Sequence, residues 1–93
     1  RNVIMSRTVY KYPIELGGTT KILMPKDAIV RFAAVQYGQP QIWAEVDTDA
    51  PKETRTFFSF GTGWLLPSDK PLGRYVGSFI VDNGAIVQHC YEQ

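Results

Sequence analysis

Hydrophobic and polar residues alternate along most of this chain, with the period of two that is typical of β-strands with one buried face. The alternating segments are Thr8–Leu16, Lys21–Met24, Ala28–Tyr37, Gln41–Asp47, Thr54–Phe60, Arg74–Val81 and Ala85–Tyr91. Gly, Pro, Asn and Asp residues separate these segments and predict tight turns. Six or seven short strands at intervals of about ten residues predict one all-β domain, an antiparallel β-sandwich or small barrel.

The first segment has the features of an edge strand. Tyr10 and Tyr12 share one face, whereas Lys11 lies on the other. Pro13 has no amide hydrogen to donate to a neighbouring strand, which favours an edge position or a kink.

Only the segment Ala28–Tyr37 fits two kinds of structure. Asp27 before it is a suitable helix N-cap, and Gly38 after it is a suitable helix end. However, β-branched and aromatic residues dominate the segment, and short turns enclose it. We predict a strand, with a helix as the alternative.

Two hairpins are predicted from the turn residues. Asn83-Gly84 lies between two alternating segments, and this pair is typical of a type I′ turn, in which both central residues adopt positive φ. Gly38-Gln39-Pro40 is predicted to join a second pair of strands. Thr48–Glu53 is predicted to be the longest polar loop, and Pro67–Gly73 the second long loop.

Composition excludes several classes of protein. The chain has 93 residues, of which 44% are hydrophobic and 20% charged, as in ordinary globular domains. A net charge of +1 argues against binding of duplex nucleic acid through a broad basic face. No apolar run approaches the roughly 20 residues of a membrane span. Arg1–Ile4 precede Met5 and are interpreted as an extension, so that the domain is expected to span residues 5–93.

The chain has few residues suited to thiol or acid–base chemistry. Cys90 is the single cysteine, which excludes an internal disulfide and favours a reducing, cytoplasmic setting. His89 is the single histidine and is interpreted as a strand residue with a hydrogen-bonded ring. Because neighbouring strand residues face opposite sides, a Cys–His dyad is not expected, and Cys90 is predicted to lie in the core.

Metal binding is not expected either. Asp47 and Asp49 have the spacing of two cation ligands, but the further ligands of a calcium loop are missing, which favours a solvated loop. Together with the isolated His89, this predicts a protein that is not an enzyme and that uses no metal or cofactor.

Aromatic residues make up 13% of the chain and are the main candidates for binding. Rings stack on nucleobases, and Lys or Arg side chains neutralise phosphates. The candidates are Tyr10, Tyr12, Trp43 and Trp64 for stacking, with Lys11 and Arg55 for phosphate. The alternative is that these rings fill the core and its margin.

The tripeptide Gly61-Thr62-Gly63 follows a strand that carries Arg55 and Phe57 and precedes Trp64. Glycines let a backbone approach a ligand closely, and successive N–H groups in such a turn form an anion-binding concavity. A purely structural turn is the alternative, since this pattern is neither a dinucleotide-binding fingerprint nor a Walker motif.

Several blocks of the sequence together resemble a small family of phage and bacterial proteins long catalogued as a domain of unknown function. The blocks are VYKYPIE, ILMPKDAIV, IWAEVD, TRTFFSFGTGWLLP, YVGSFI and NGAIVQHCYE. The resemblance runs from about Val9 to Glu92.

Such small phage proteins are also similar to a phage anti-defence family that binds nucleotide immune signals, in particular the cyclic dinucleotides of the bacterial CBASS system. Members of that family act as oligomeric sponges, which sequester the signal without cleaving it. The resemblance therefore implies a homo-oligomer in the host cytoplasm that binds a cyclic dinucleotide such as cyclic GMP-AMP, with no duplex nucleic acid and no membrane as partner.

The predicted ligand-binding set contains residues from four parts of the chain. Its members are Tyr10, Lys11, Tyr12, Trp43, Arg55, Phe57, Gly61, Thr62, Gly63, Trp64 and His89. The alternative hypothesis is an accessory β domain that acts through protein–protein contacts, because Trp, Tyr and Arg also dominate such interfaces. Aromatic rings that line a concavity would favour a ligand, and a flat apolar patch would favour a protein partner.

Overall fold

The structure of the chain is a computed structural model that describes residues 6–93, so the extension predicted at residues 1–4 lies outside the described range. These residues form seven strands and one short 3₁₀ turn. Their bounds are β1 Arg7–Pro13, β2 Thr19–Pro25, β3 Ile29–Gln36, β4 Gln39–Asp47, β5 Lys52–Gly61, β6 Arg74–Val81, the turn Asp82–Gly84 and β7 Ile86–Glu92. Within the same range, no helix is long and apolar enough to cross a membrane.

The strands form two antiparallel sheets, and the prediction of a small all-β domain is confirmed. One sheet has three strands in the order β1-β4-β3, and the other has four in the order β2-β5-β7-β6. The first strand lies at an edge, as Pro13 predicted.

The ambiguous segment is strand β3, and the helical alternative is wrong. It pairs with β4 through a two-residue turn in which Tyr37 and Gly38 have φ angles of 50° and 75°. Positive φ at both central residues matches the right-handed twist of the flanking strands.

The Asn-Gly hairpin is also confirmed. Asn83 has φ 55° and ψ 33°, and Gly84 has φ 90°, the angles of a type I′ turn. The turn is closed by the Ala85 N–H, which donates to the Asp82 carbonyl at 3.0 Å.

The predicted loop lengths need one correction. Strand β5 begins at Lys52, so the polar loop covers only residues 48–51 and is not the longest connection. The Lys26 N–H donates to the Pro51 carbonyl at 2.7 Å, which continues the β2–β5 pairing and shortens the loop. Residues 62–73 form the longest connection in the described part of the chain.

The core lies between the two sheets. Ile42, Phe57, Phe79 and Cys90 are fully buried there, and Cys90 is a core residue as predicted. Burial, and secondarily the charge of Glu92, raises the pKa of the Cys90 thiol to about 12, so the thiol stays protonated at neutral pH.

Candidate functional site

The outer face of the four-stranded sheet carries a continuous row of aromatic rings. The ring centroids of Phe58 and Phe60 lie 6.2 Å apart, and those of Phe60 and Tyr91 lie 6.1 Å apart. Tyr75 continues the row, 5.2 Å from Tyr91 and 6.0 Å from the ring of His89. These separations are typical of interacting aromatic pairs. We call this set the aromatic row.

Residues 62–66 close one end of the row and form a cavity of about 260 Å³. We call it the aromatic pocket; its lining is Phe60, Gly61, Thr62, Gly63, Trp64, Leu66, Tyr75, His89 and Tyr91. Tyr75 and Leu66 are about half exposed, and Phe60, His89 and Tyr91 are half-buried. The pocket is therefore open to solvent and is lined mainly by aromatic rings.

Two hydroxyl groups hold the His89 ring in a single position. Thr62 Oγ1 lies 2.7 Å from His89 Nε2, and Tyr75 Oη lies 2.8 Å from Nδ1. In neutral imidazole one nitrogen donates and the other accepts, and a hydroxyl can take either role, so both nitrogens are satisfied in either tautomer. The predicted hydrogen-bonded histidine is confirmed.

The Trp64 indole packs directly against Gly61. A Cβ atom at Gly61 would lie 2.5 Å from Trp64 Cε2 and Nε1, which is closer than any real carbon contact. The far edge of the same indole lies 3.5 Å from the Cβ position of Gly17. Only glycine at position 61 therefore lets the indole fold back over the end of β5.

The backbone of the tripeptide is engaged mainly within the fold. The Trp64 N–H donates to the Gly61 carbonyl at 3.1 Å, and the Thr62 N–H donates to the Val87 carbonyl at 3.2 Å. Gly63 has a φ of 85°, the positive angle that the third residue of a type II turn needs. The glycines thus form a strand-ending turn, and the Thr62 N–H, one of the groups predicted for an anion cradle, has a partner in the protein.

A second cavity, of about 390 Å³, adjoins the pocket at Gly61, Thr62 and Trp64. The rest of its lining is Ala85 and the start of β7, from Ile86 to Gln88. The Gln88 side-chain oxygen accepts from the Ser59 hydroxyl at 2.6 Å and from the Gly17 N–H at 3.2 Å. These bonds tie β7, β5 and the β1–β2 turn together beside the Trp64 indole.

The structure brings part of the predicted binding set together and leaves the rest elsewhere. Gly61, Thr62, Gly63, Trp64 and His89 all line the aromatic pocket. The remaining six predicted residues lie outside its lining; they are Tyr10, Lys11, Tyr12, Trp43, Arg55 and Phe57.

Arg55 and Phe57 have structural surroundings. Phe57 is fully buried in the core, so its ring is not accessible to a ligand. Arg55 pairs with Glu92, with Nη2 2.9 Å from Oε1, and its Nη1 donates to the Ala28 carbonyl at 2.6 Å. The hydrogen bond with Glu92 raises the pKa of Arg55. Its guanidinium therefore links β5 to β7 and to the start of β3.

The other four residues belong to the three-stranded sheet. Tyr10 and Tyr12 point to its inner side, where Tyr12 packs against the core. Lys11 lies opposite Trp43 on the outer side, and its Nζ donates to the Gln36 side-chain oxygen at 2.7 Å. These four residues therefore lie in a different sheet from the aromatic row, which is carried by β5, β6 and β7.

The outer side of the three-stranded sheet is partly apolar. Phe32, which is 59% exposed, packs against Trp43 with ring centroids 5.6 Å apart. Arg7 and Arg31 both pair with Glu45 beside these rings. Hydrogen bonds from Arg7 and then from Arg31 lower the pKa of Glu45.

Four lining residues of the pocket were not predicted from the sequence: Phe60, Leu66, Tyr75 and Tyr91. A signal for one of them exists, because residues two apart on a strand share a face, which places Tyr91 beside His89 on β7. Tyr75 has no such signal, since a β-bulge between Tyr75 and Gly77 decides its partner.

Among residues 6–93, no three His, Cys, Asp or Glu side chains are grouped as a metal site would require.

A family model described as Domain of unknown function (DUF7352) matches residues 5–93. The chain belongs to the DUF7352 family. No curated protein and no solved structure matches it significantly. The family description of DUF7352 names no activity, so the aromatic pocket is the basis on which a function can be argued.

Proposed function

We propose that this DUF7352 domain is a non-enzymatic binding protein that sequesters a nucleotide signal. The observation that supports the proposal is the aromatic pocket, where Phe60, Tyr75, Tyr91 and the fixed ring of His89 surround an open cavity. Nucleobases stack on such rings, and each stacked base contributes about 1–3 kcal/mol to binding.

The polar groups at the pocket suit a planar ligand with hydrogen-bonding edges. The hydroxyl groups of Tyr75 and Thr62 hold His89 and keep further hydrogen-bonding capacity, because a hydroxyl has one donor and two acceptor sites. A purely aliphatic ligand would leave this capacity unused. A heterocyclic base, whose edge carries donors and acceptors, matches it.

Binding without cleavage is supported by the position of the histidine. In histidine-dependent hydrolases a carboxylate usually orients the general base, and none of the nine residues that line the pocket is Asp or Glu. In the pocket, Thr62 and Tyr75 occupy both nitrogens of His89. The ring acts here as a fixed part of the wall.

The size of the pocket bears on the kind of signal. About 260 Å³ suits one base with part of its sugar, whereas pockets for larger ligands reach several hundred Å³ more. A cyclic dinucleotide such as cyclic GMP-AMP has two similar halves, so two copies of the chain can each take one half across a two-fold axis. Together with the resemblance to phage sponge proteins, this favours a homo-oligomer that removes an immune signal in the cytoplasm of an infected host.

Calorimetry with a panel of nucleosides, nucleotides and cyclic dinucleotides tests the proposal. We expect saturable binding of at least one ligand, which chromatography then recovers unchanged. Tyr91→Ala should weaken that binding at least about tenfold, because one stacking ring is lost. Tyr37→Ala is the matched control, since Tyr37 is 96% exposed on the β3–β4 turn, and should bind normally. No heat with any ligand, or cleaved products, would contradict the proposal.

A second candidate function rests on the outer side of the three-stranded sheet. Val9, Ile29 and Phe32 are each exposed there by 43% or more, next to Trp43. Large exposed apolar groups in a polar rim are typical of a protein interface. If the chain acts on a protein partner, Phe32→Ser should weaken that complex and leave nucleotide binding unchanged, as measured by calorimetry with each partner.

A further inference from the structure

The aromatic pocket has no charged residue of its own to meet a phosphate. None of its nine lining residues is Asp, Glu, Lys or Arg. A nucleotide carries at least one negative charge, and such a group is bound best by a nearby cation or by several N–H donors. If a nucleotide binds here, its phosphate has to be met by a group beyond the lining.

Lys70 lies just beyond the pocket on the same face of the sheet. Its Nζ is 4.9 Å from the centroid of the Phe58 ring. Phe58 is the neighbour of Phe60 in the aromatic row, and Phe60 lines the pocket. The ammonium group is therefore one ring beyond the pocket wall. It belongs to the same connection, residues 62–73, that closes the pocket.

The contact with Phe58 places the charge without using its hydrogen-bond donors. A cation over a ring face is held by the negative face of the ring, and the attraction does not consume the N–H groups. A lysine ammonium has three donors, so a phosphate oxygen can still be bound. Phe58 itself is only 5% exposed, so its ring is held in place by packing and fixes the position of the lysine side chain above it.

The arginines near this sheet lie close to carboxylates, which offset part of their charge. Arg55 is bound to Glu92 and to the Ala28 carbonyl, and Arg74 lies 4.0 Å from the same Glu92. On the other sheet, Arg7 and Arg31 pair with Glu45. Lys70 takes part in none of the ion pairs found among residues 6–93.

We propose that the base of the ligand enters the aromatic pocket while a phosphate lies at the Phe58 end of the aromatic row, against the exposed ammonium of Lys70. This inference rests on the proposed function and defines its ligand class as nucleoside phosphates, including cyclic ones, rather than free nucleosides or bases. The sequence candidates for phosphate, Lys11 and Arg55, have no part in it. Because the lysine is exposed, the phosphate contribution is screened by salt.

The test compares one nucleoside with its monophosphate, using fluorescence of the protein or calorimetry at low salt and at 0.5 M salt. Starting with the best base in the panel, we expect the monophosphate to bind about five- to tenfold more tightly at low salt and the difference to shrink at high salt. Lys70→Met should lower the affinity for the monophosphate to that for the nucleoside and leave the nucleoside unaffected. Lys70→Arg should retain most of the preference.

Lys52→Met is the matched control, because Lys52 is exposed at the start of β5 and lies outside the pocket lining. Its preference for the monophosphate should equal that of the unchanged chain. If nucleosides bind but Lys70→Met keeps the full phosphate preference, the role of Lys70 is wrong and the proposed function stands. If neither nucleosides nor phosphates bind, the proposed function is wrong as well.

Discussion

Arg55→Met is expected to lower the free energy of unfolding by about 2–4 kcal/mol, because it removes the hydrogen-bonded partner of the nearly buried Glu92 and leaves only Arg74, 4.0 Å away and 56% exposed, as a nearby cation. The side chains of Arg55 and Glu92 are only 17% and 12% exposed. The variant also removes the bond to the Ala28 carbonyl, which connects β5 to the start of β3. Chemical or thermal unfolding followed by circular dichroism measures the loss.

Arg31→Met is the control for this prediction. Arg31 also pairs with a glutamate, but its side chain is 56% exposed, so water screens the pair and the expected loss is below about 1 kcal/mol. The double variant Arg55→Met with Glu92→Leu should recover part of the loss, since no buried charge then lacks a partner. Equal losses for Arg55→Met and Arg31→Met would contradict the structural role of Arg55.

The same variant separates two hypotheses for Arg55. The sequence predicts a phosphate contact, whereas the geometry of the ion pair predicts a role in stability alone. We expect folded Arg55→Met, studied well below its unfolding temperature, to bind nucleotide as the unchanged chain does. A selective loss of affinity for phosphate-bearing ligands would restore the original hypothesis.

Gly73→Ala is expected to be the most damaging small substitution in the connection that closes the pocket, with a loss of about 3 kcal/mol. Gly73 has a φ of 69°, in which a side chain costs about 1–2 kcal/mol. In addition, a Cβ there would lie 2.1 Å from the Glu92 carbonyl oxygen. Because that oxygen belongs to the backbone of β7, the chain itself has to move, which adds about 1–3 kcal/mol.

Gly84→Ala isolates the first of these two effects. Gly84 has a φ of 90°, but nothing lies within 4 Å of its Cβ position, so only the backbone cost of about 1–2 kcal/mol is expected. We also expect Gly73→Ala to weaken ligand binding, because residues 62–73 carry Trp64, Leu66 and Lys70. Unfolding curves and calorimetry measure both effects; similar stability losses for the two variants would show that the close contact at Gly73 is relieved without cost.

Local turn chemistry and alternation were sufficient to predict every strand of this domain, though not every boundary. Positive φ is available at Gly38 and at Asn83-Gly84, so both hairpins are encoded within a few residues. The sequence predicted only part of the aromatic pocket. Those of its predicted members that line the pocket are the glycine turn, Trp64 and His89.

The rest depended on contacts between distant segments. Alternation assigns Phe57 to one face of β5 and Phe58 and Phe60 to the other, but both faces carry phenylalanine, so the pattern does not say which face is buried. Packing of the two sheets decided that Phe57 enters the core. The ion pair of Arg55 also depends on the tertiary structure. Its partner Glu92 lies on β7, which is adjacent to β5 only in the folded sheet.

The sequence by itself determined the strands and the hairpin turns, since these depend on residues that are neighbours along the chain. Only the tertiary structure decided the site. The register set at the Asn-Gly turn would place Val76 opposite Tyr91, and the one-residue bulge before Gly77 places Tyr75 there instead. Tyr75 thereby reaches His89, and residues 62–73 bring Trp64 and Lys70 to the same face of the domain. Neither a bulge nor a long connection follows the alternation of hydrophobic and polar residues, so the complete pocket could not be predicted from the sequence.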